Sequence, residues 1–248
     1  MLPDTWQEVL AAPAYLISVD NRRYDICERR ITRAGYHDIH RFQGVISTSR
    51  ASLEENWAKH PFPPHREIFG EHPAAVLLAH LNLWRHMIDN NIPFCTIFED
   101  DTLFHTEWHE LAPKYYQATP KTADMVFMGH HCGNAYPNMH IAQVPVYCLN
   151  AYLLTREGAM KAYDMITQYP IDENFGVIDM MLANLHTGII MTKTNPYDYQ
   201  WYAWNTQMFP DPDNEPYKHP HALEKDKGLV FQQYPCVEMP NENTRSQL

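Results

Sequence analysis

Short apolar runs alternate with segments of helical period along most of the chain, and this alternation constrains the fold more than any single residue does. PAYLISVD, Pro13 to Asp20, is apolar enough for a central strand. NRRYDICERRITRAG then sets Tyr24, Cys27, Ile31 and Ala34 at helical spacing and closes on Gly35, a residue suited to a helix end. Ile39 to Val45 reads as the next strand. HPAAVLLAHLNLWRHMIDNN carries Val76, Leu77, His80, Leu81, Trp84 and Met87 or Ile88 on one stripe, with Pro73 near its first turn and Asn90-Asn91 at its end. It feeds the strand PFCTIF. Two more apolar strands (TADMVFMG and Cys148 to Thr155), helices from Arg156 and over 175–188, and a strand IIMTKT continue the pattern. The alternation predicts an α/β sandwich, one Rossmann-like domain around a mixed, mostly parallel sheet, with ligands gathering at the carboxyl ends of strands.

At one such end PFCTIF runs directly into Glu99, Asp100 and Asp101. Three adjacent carboxylates repel one another, and burying one unpaired is costly, so something cationic should sit among them. Hard carboxylate oxygens suit Mg²⁺ or Mn²⁺, ions that also bind phosphates, and the triplet is a natural seat for a metal holding a diphosphate. Strand alternation points Glu99 and Asp101 one way and Asp100 the other. On that geometry Glu99 and Asp101 share a metal or a ribose while Asp100 braces the loop. An acidic surface turn is the alternative.

Other charged residues join this picture. Arg22, Arg23, Arg29 and Arg30 follow the first strand, and a guanidinium fork suits phosphate or the rim of a base site, although such charges often form a solvated helix face. At most one of the four is expected to be functional. Asp20, at the strand end, is a candidate for the nucleoside. His80 shares the apolar stripe with Trp84, which favours a core histidine over a ligand, and it stands as a secondary donor-site candidate. His130, His131, Cys132 and His140 match no zinc spacing, and neighbouring histidines on a strand face opposite ways. Trp201, Tyr202 and Trp204 either stack on sugar faces or pin the later chain to the domain.

The formal charge of -11 argues against a sequence-independent grip on nucleic acid, which needs Lys and Arg to displace counterions. The five cysteines form no CxxC pair, as suits a reducing compartment. No leader-like start and no apolar run long enough to span a bilayer stands out, so a cytoplasmic protein is expected. Beyond Gln207 the composition turns to Pro, Asn and Asp, which divides the chain into a domain over 1–207 and a tail or lid over 208–248.

Several segments together resemble a known family. AYLISVDNRRYDICERRITRAGYHDIHRFQGV is similar to the opening of glycosyltransferase family 25, which includes lipooligosaccharide and collagen galactosyltransferases. AAVLLAHLNLWRHMIDNNIPFCTIFEDD resembles the family's small-residue, Ser-His, Trp helix with its following strand and EDD. DMVFMGHH, LNAYLLTREGAMKAY, and PIDENFGVIDMML followed by NPYDYQW resemble later blocks, so the likeness runs in family order from about Tyr15 to about Gln207. Ala79 stands where the family usually has Ser, and Asn205-Thr206 where a Ser is expected, while Gln200 is retained.

The resemblance implies a GT-A fold that binds a nucleotide-sugar, usually with Mn²⁺ at the acidic motif, and inverts the anomeric centre. It implies transfer of a hexose, galactose or glucose, from a UDP-sugar to a glycan or protein hydroxyl, as in lipopolysaccharide biosynthesis. On that footing Asp101 coordinates the metal directly, Glu99 reaches it through water or holds the ribose, and His219 is a late histidine able to complete the shell. Asp179 is the first choice for the base on the acceptor hydroxyl and Asp172 the second; each also fits a helix start. Gln200 is carried over as a donor contact. The alternatives are a metal-dependent phosphohydrolase or nucleotidyltransferase using the same triplet, and an inactive glycan-binding protein of the same fold.

Overall fold

A short helix, α1 (Trp6–Ala11), leads into β1 (Ala14–Ser18). Asp20 then turns the chain into α2 (Asn21–Arg33) by accepting the Arg23 N–H at 2.7 Å, one of the donors a helix start leaves unpaired. Gly35 follows that helix at φ 103°, a left-handed conformation that suits glycine. Next come β2 (Ile39–Gln43), α3 (Arg50–Trp57) and α4 (Glu71–Asp89), which delivers the chain to β3 (Phe94–Glu99). The remaining elements are β4 (Thr102–Phe104), α5 (Trp108–Ala118), β5 (Met125–Phe127), β6 (Gly129–His131), β7 (Ile141–Ala142), β8 (Ala151–Thr155), α6 (Arg156–Gln168), α7 (Ile178–Thr187), β9 (Trp201–Trp204), β10 (Asp226–Gly228) and β11 (Val230–Gln232). The structure is a computed structural model and describes residues 1–63, 68, 70–131, 141–142, 147–169, 176–187, 200–204 and 226–232. The strand expected over IIMTKT lies outside them.

Among the described residues seven strands form one sheet in the order β2-β1-β3-β8-β5-β9-β7. β1 pairs parallel with β2 and β3, and β5 pairs parallel with β9. β8 runs antiparallel between β3 and β5, and β7 runs antiparallel to β9. Five strands thus share a direction, the mixed, mostly parallel α/β sheet that the alternation predicts. The reversal of β8 brings its beginning to the edge where β1 and β3 finish: Ala151 opposes Phe98, and Thr155 opposes Phe94 at the far edge.

β3 explains why its sequence reads as apolar throughout. Cys95 and Ile97 face a core built with α4, α6 and α7, whereas Phe94 and Phe98 face a second core built with α1, α2 and α5. Full burial of a side chain such as Ile97 stabilises by ~1.5–3 kcal/mol. Trp201 and Trp204 belong to these cores, which decides between the two roles open to the aromatic cluster: both are buried, and Trp204 donates from Nε1 to Thr119 Oγ1 at 3.1 Å. Among the described residues no helix is long and apolar enough to cross a membrane.

Part of the stretch expected as a tail or lid pairs with the core. β10 is antiparallel to β6 and β11 is antiparallel to β4. Gly129 permits this approach, since a Cβ there would stand 1.7 Å from the Val230 carbonyl oxygen. The boundary at 207 falls outside the described residues.

Candidate active site

Three strand ends meet at one edge of the sheet: Ser18 closing β1, Glu99 closing β3 and Asn150 preceding β8. Asp100 and Asp101 form the turn between β3 and β4. That turn is tied down on both sides. The Glu99 N–H donates to the Asn150 carbonyl at 2.9 Å, and the Thr102 hydroxyl lies 2.8 Å from the Glu99 carbonyl and 2.9 Å from that of Asn150. From α2, Arg30 Nη1 donates to the Thr102 carbonyl at 3.3 Å.

Because the strand stops at Glu99, strand alternation does not set the directions of the three carboxylates. Asp100 turns toward β1 and α2, where the Ser18 hydroxyl donates to Oδ2 at 2.5 Å and Arg23 Nη2 lies 2.6 Å from Oδ1. Asp101 accepts from Gln232 Nε2 at 2.9 Å through Oδ2, which is also 3.7 Å from Arg23 Nη2. Glu99 turns under α4, with Oε1 3.0 Å from His80 Nε2. The cation required among the carboxylates is therefore supplied in part by the protein itself, as Arg23 in the first turn of α2.

His80 stands behind Glu99 rather than beside a ligand. It is 1% exposed, and its Nδ1 lies 2.8 Å from the Tyr152 hydroxyl, which in turn accepts from Trp84 Nε1 at 2.9 Å. Because the Tyr152 oxygen takes the Trp84 proton, its own hydroxyl can donate to Nδ1, which leaves Nε2 to donate to the Glu99 carboxylate. The chain of bonds fixes Glu99.

Asp100 and Asp101 share Arg23 while Glu99 bonds to His80, and the electrostatics reflect the crowding of negative charge. Burial first, and then the charge of Glu99, pushes the Asp101 carboxyl up to about 7 against the opposing bonds from Gln232 and Arg23. Burial also raises Asp100, with Ser18 and Arg23 acting the other way. Three buried polar atoms in this cluster lack a partner among the described residues: Asp101 Oδ1, Arg23 Nε and Asn150 Nδ2. A buried polar group left unpaired costs ~1–3 kcal/mol, which a bound polar ligand removes.

A hard divalent cation fits this donor set in part. Asp101 Oδ1 is a desolvated carboxylate oxygen whose lone pairs meet no donor among the described residues, and Glu99 is the next carboxylate. Among the described residues, however, no group of three His, Cys, Asp and Glu is arranged to hold a metal ion. Asp100 is already committed to Ser18 and Arg23. His219 lies outside the described residues.

Asp179 reaches the same neighbourhood from α7. Its Oδ2 accepts the Cys148 N–H at 3.1 Å and its Oδ1 accepts the Met180 N–H at 2.8 Å. The Cys148 thiol is pushed well up by burial and by the negative charges of Glu99, Asp101 and Asp179, so all three carboxylates bear on one sulfur. Cys148 itself is held at φ 86°, a left-handed conformation uncommon for a residue with a Cβ. Its Sγ donates to Asn150 Oδ1 at 3.3 Å.

The structure thus gathers Arg23, Glu99, Asp100, Asp101 and Asp179, with Asp20 capping α2 beside them and His80 in support. Arg22 is exposed on the first turn of α2. Gln200 is not part of the group. Its carbonyl accepts the Asp124 N–H at 2.8 Å, and Asp124 binds Thr155 at the opposite edge, about 16 Å along β3 from Glu99. Asp172, Cys132 and His140 lie outside the described residues. Ser18, Cys148, Asn150 and Gln232 join the site without having been singled out. Ser18, at a strand end two residues before Asp20, carried a local signal, whereas Gln232 carried none.

A mixed α/β fold with an acidic cluster and an arginine at the carboxyl edge of its parallel strands has its polar side chains where folds of this class bind ligands. The model of glycosyltransferase family 25 (LPS biosynthesis protein) matches residues 11–141, more than half of the chain. The chain belongs to glycosyltransferase family 25 and is a glycosyltransferase, an enzyme that takes a sugar donor and an acceptor. A comparison with curated proteins found no match. The matched span includes Arg23, His80 and Glu99 to Asp101; Asn150, Asp179 and Gln232 lie beyond it.

Proposed function

We propose that the protein is an inverting, metal-dependent hexosyltransferase of GT-A type, moving galactose or glucose from a UDP-sugar to a hydroxyl of a glycan or protein acceptor in the cytoplasm. The observation that supports this reading is the buried Oδ1 of Asp101, which has no partner among the described residues, in a cluster where Asp100 and Asp101 share Arg23. Mn²⁺ or Mg²⁺, when bound, supplies positive charge for the departing diphosphate. Asp101 would hold it directly, and Glu99, fixed by His80, would reach it through water or take the ribose. His219 remains the proposed late ligand.

The rest of the reaction falls to the chain's own groups. Arg23, whose Nε has no partner among the described residues, offers a donor to a diphosphate oxygen. Asp20, which caps α2, would meet the nucleoside. Asp179 takes the proton of the acceptor hydroxyl while that oxygen bonds to the anomeric carbon. The bond from that carbon to the diphosphate oxygen breaks as it does so, and its electron pair leaves with the nucleoside diphosphate. Attack opposite the leaving group inverts the centre.

The test is thermal stabilisation by a panel of UDP- and GDP-sugars with and without Mn²⁺, followed by turnover of the donor that binds. Asp179→Asn should keep the Mn²⁺-dependent stabilisation while turnover drops ~10²-fold or more, the usual contribution of a general base. Undiminished turnover in that variant removes Asp179 as the base. Absence of stabilisation by every donor removes the nucleotide-sugar reading.

A further inference from the structure

Asn150 is 1% exposed, and its two oxygens are engaged. Its carbonyl receives the Glu99 N–H and lies within reach of the Thr102 hydroxyl, and its Oδ1 accepts from Cys148 Sγ. Nδ2 has no partner among the described residues. A buried amide donor left idle lowers stability, so its retention at the centre of a site asks what completes it.

The register of the sheet says where that donor lies. Phe98 opposes Ala151, so Asn150 opposes Glu99 across the β3–β8 ladder, and directly opposed residues put their side chains on one face. Glu99 commits Oε1 to His80 and retains a side chain 21% exposed. An amide donor and a carboxylate acceptor therefore stand side by side at the strand ends. That is the complement of two adjacent sugar hydroxyls, one accepting and one donating. The backward turn at Cys148, φ 86°, anchored by Asp179, holds Asn150 in this position.

We propose that Asn150 is a specificity-determining residue that donates from Nδ2 to a sugar hydroxyl of the bound donor, and that with Glu99 it reads a vicinal diol. This rests on the nucleotide-sugar reading above. A vicinal diol is offered both by the ribose and by the transferred hexose. A hydroxyl that reaches Nδ2 leaves water behind, and an analogue without that oxygen leaves the amide unpaired, which makes such a contact discriminating.

The experiment uses the full chain with Mn²⁺. It compares wild type, Asn150→Leu and Asn150→Ala by affinity for UDP, by affinity and kcat/KM for UDP-galactose and UDP-glucose, and by Tm without ligand. Leu keeps the approximate volume, and Ala serves if Leu does not fold. Because Nδ2 has no partner among the described residues and the variants give up only the weak thiol bond to Oδ1, Tm should change little, while kcat/KM for the preferred UDP-sugar should fall about tenfold or more. Equal weakening of UDP assigns the diol to the ribose; weakening of the UDP-sugar alone assigns it to the hexose. Unchanged affinity and kcat/KM in both variants overturn the proposal, as does a fall in Tm with affinity unchanged, which would make the amide structural. Failure of wild type to bind any of the three nucleotides overturns the underlying donor reading and this inference with it, and it is seen before any variant is compared.

Discussion

Replacing Asp101 by Asn should make the metal-free protein more stable while it disables the enzyme. The carboxyl is buried, its Oδ1 has no partner among the described residues, and its pKa is raised from 3.8 to about 7 by burial and by Glu99. The folded state thus binds this proton more tightly than the unfolded chain does. The stabilising term is fully present below 3.8, declines as pH rises through the window between 3.8 and about 7, and is gone above it. Taken whole, the difference between 3.8 and about 7 corresponds to ~4 kcal/mol. Gln232 and Arg23 oppose the rise and neighbouring charges contribute to it, so roughly half of that, ~2 kcal/mol, is the expected gain for Asp101→Asn at pH 8. In a chain of this size this is a rise in Tm of ~4–8 °C. The assay is thermal unfolding in EDTA at steps from pH 4 to pH 8, with the two proteins side by side. Their Tm difference should be smallest at pH 4 and grow to a plateau above pH 7. With Mn²⁺ and UDP added the order should reverse, because only wild type gains from the ligands. A variant that is less stable than wild type at pH 8 in EDTA, or a gap that does not change with pH, would show that the acidic turn is not a repulsive cluster and would refute the reasoning.

Gln232→Ala removes the 2.9 Å bond to Asp101 Oδ2 and should weaken Mn²⁺-dependent donor binding about tenfold, in line with ~1.5–3 kcal/mol for a bond to a charged group, as read by titration calorimetry. Gly129→Ala places a methyl group against the Val230 carbonyl, so β11 must move; a loss of ~1–3 kcal/mol in denaturant unfolding and faster proteolysis near residue 230 are expected. His60 lies 3.0 Å from the Tyr163 hydroxyl, and burial pushes its pKa down to about 4. The unfolded chain takes that proton near 6.5, so stability present above 6.5 is lost as pH falls toward 4, and His60→Gln should show a shallower acid slope in denaturant titrations over that window.

What the sequence discloses here is local. Glu99 to Asp101 follow an apolar strand, and Arg23 lies three residues past the strand end that Asp20 marks; both are visible because each element and its flanking charges are contiguous. The mixed, mostly parallel sheet is likewise visible in the alternation of elements. The direction of β8 is not, because an apolar run buried on both faces reads the same in either direction, and with that direction goes the placement of Asn150 opposite Glu99. His80 is legible as a buried histidine on an apolar stripe, but its bond to Glu99 depends on how α4 crosses the sheet. Directions read from strand alternation lapse where the strand lapses, at Asp100. Gln200 follows from family order alone, and order says nothing of which edge of the sheet a strand's first residue occupies.

The bond between Gln232 and Asp101 joins residues 131 positions apart. A chain made from its N-terminus exposes its early segments first. The acidic turn therefore leaves the ribosome long before the strand that braces it, and every strand of the seven-stranded sheet is already synthesised while β11 is still awaited. During that interval the carboxylates have Arg23 and Ser18 but not the amide. The Gln232 brace is thus a late acquisition of the nascent protein, and a message truncated between codons 204 and 232 encodes a chain with all seven described strands of its sheet and an unbraced acidic turn.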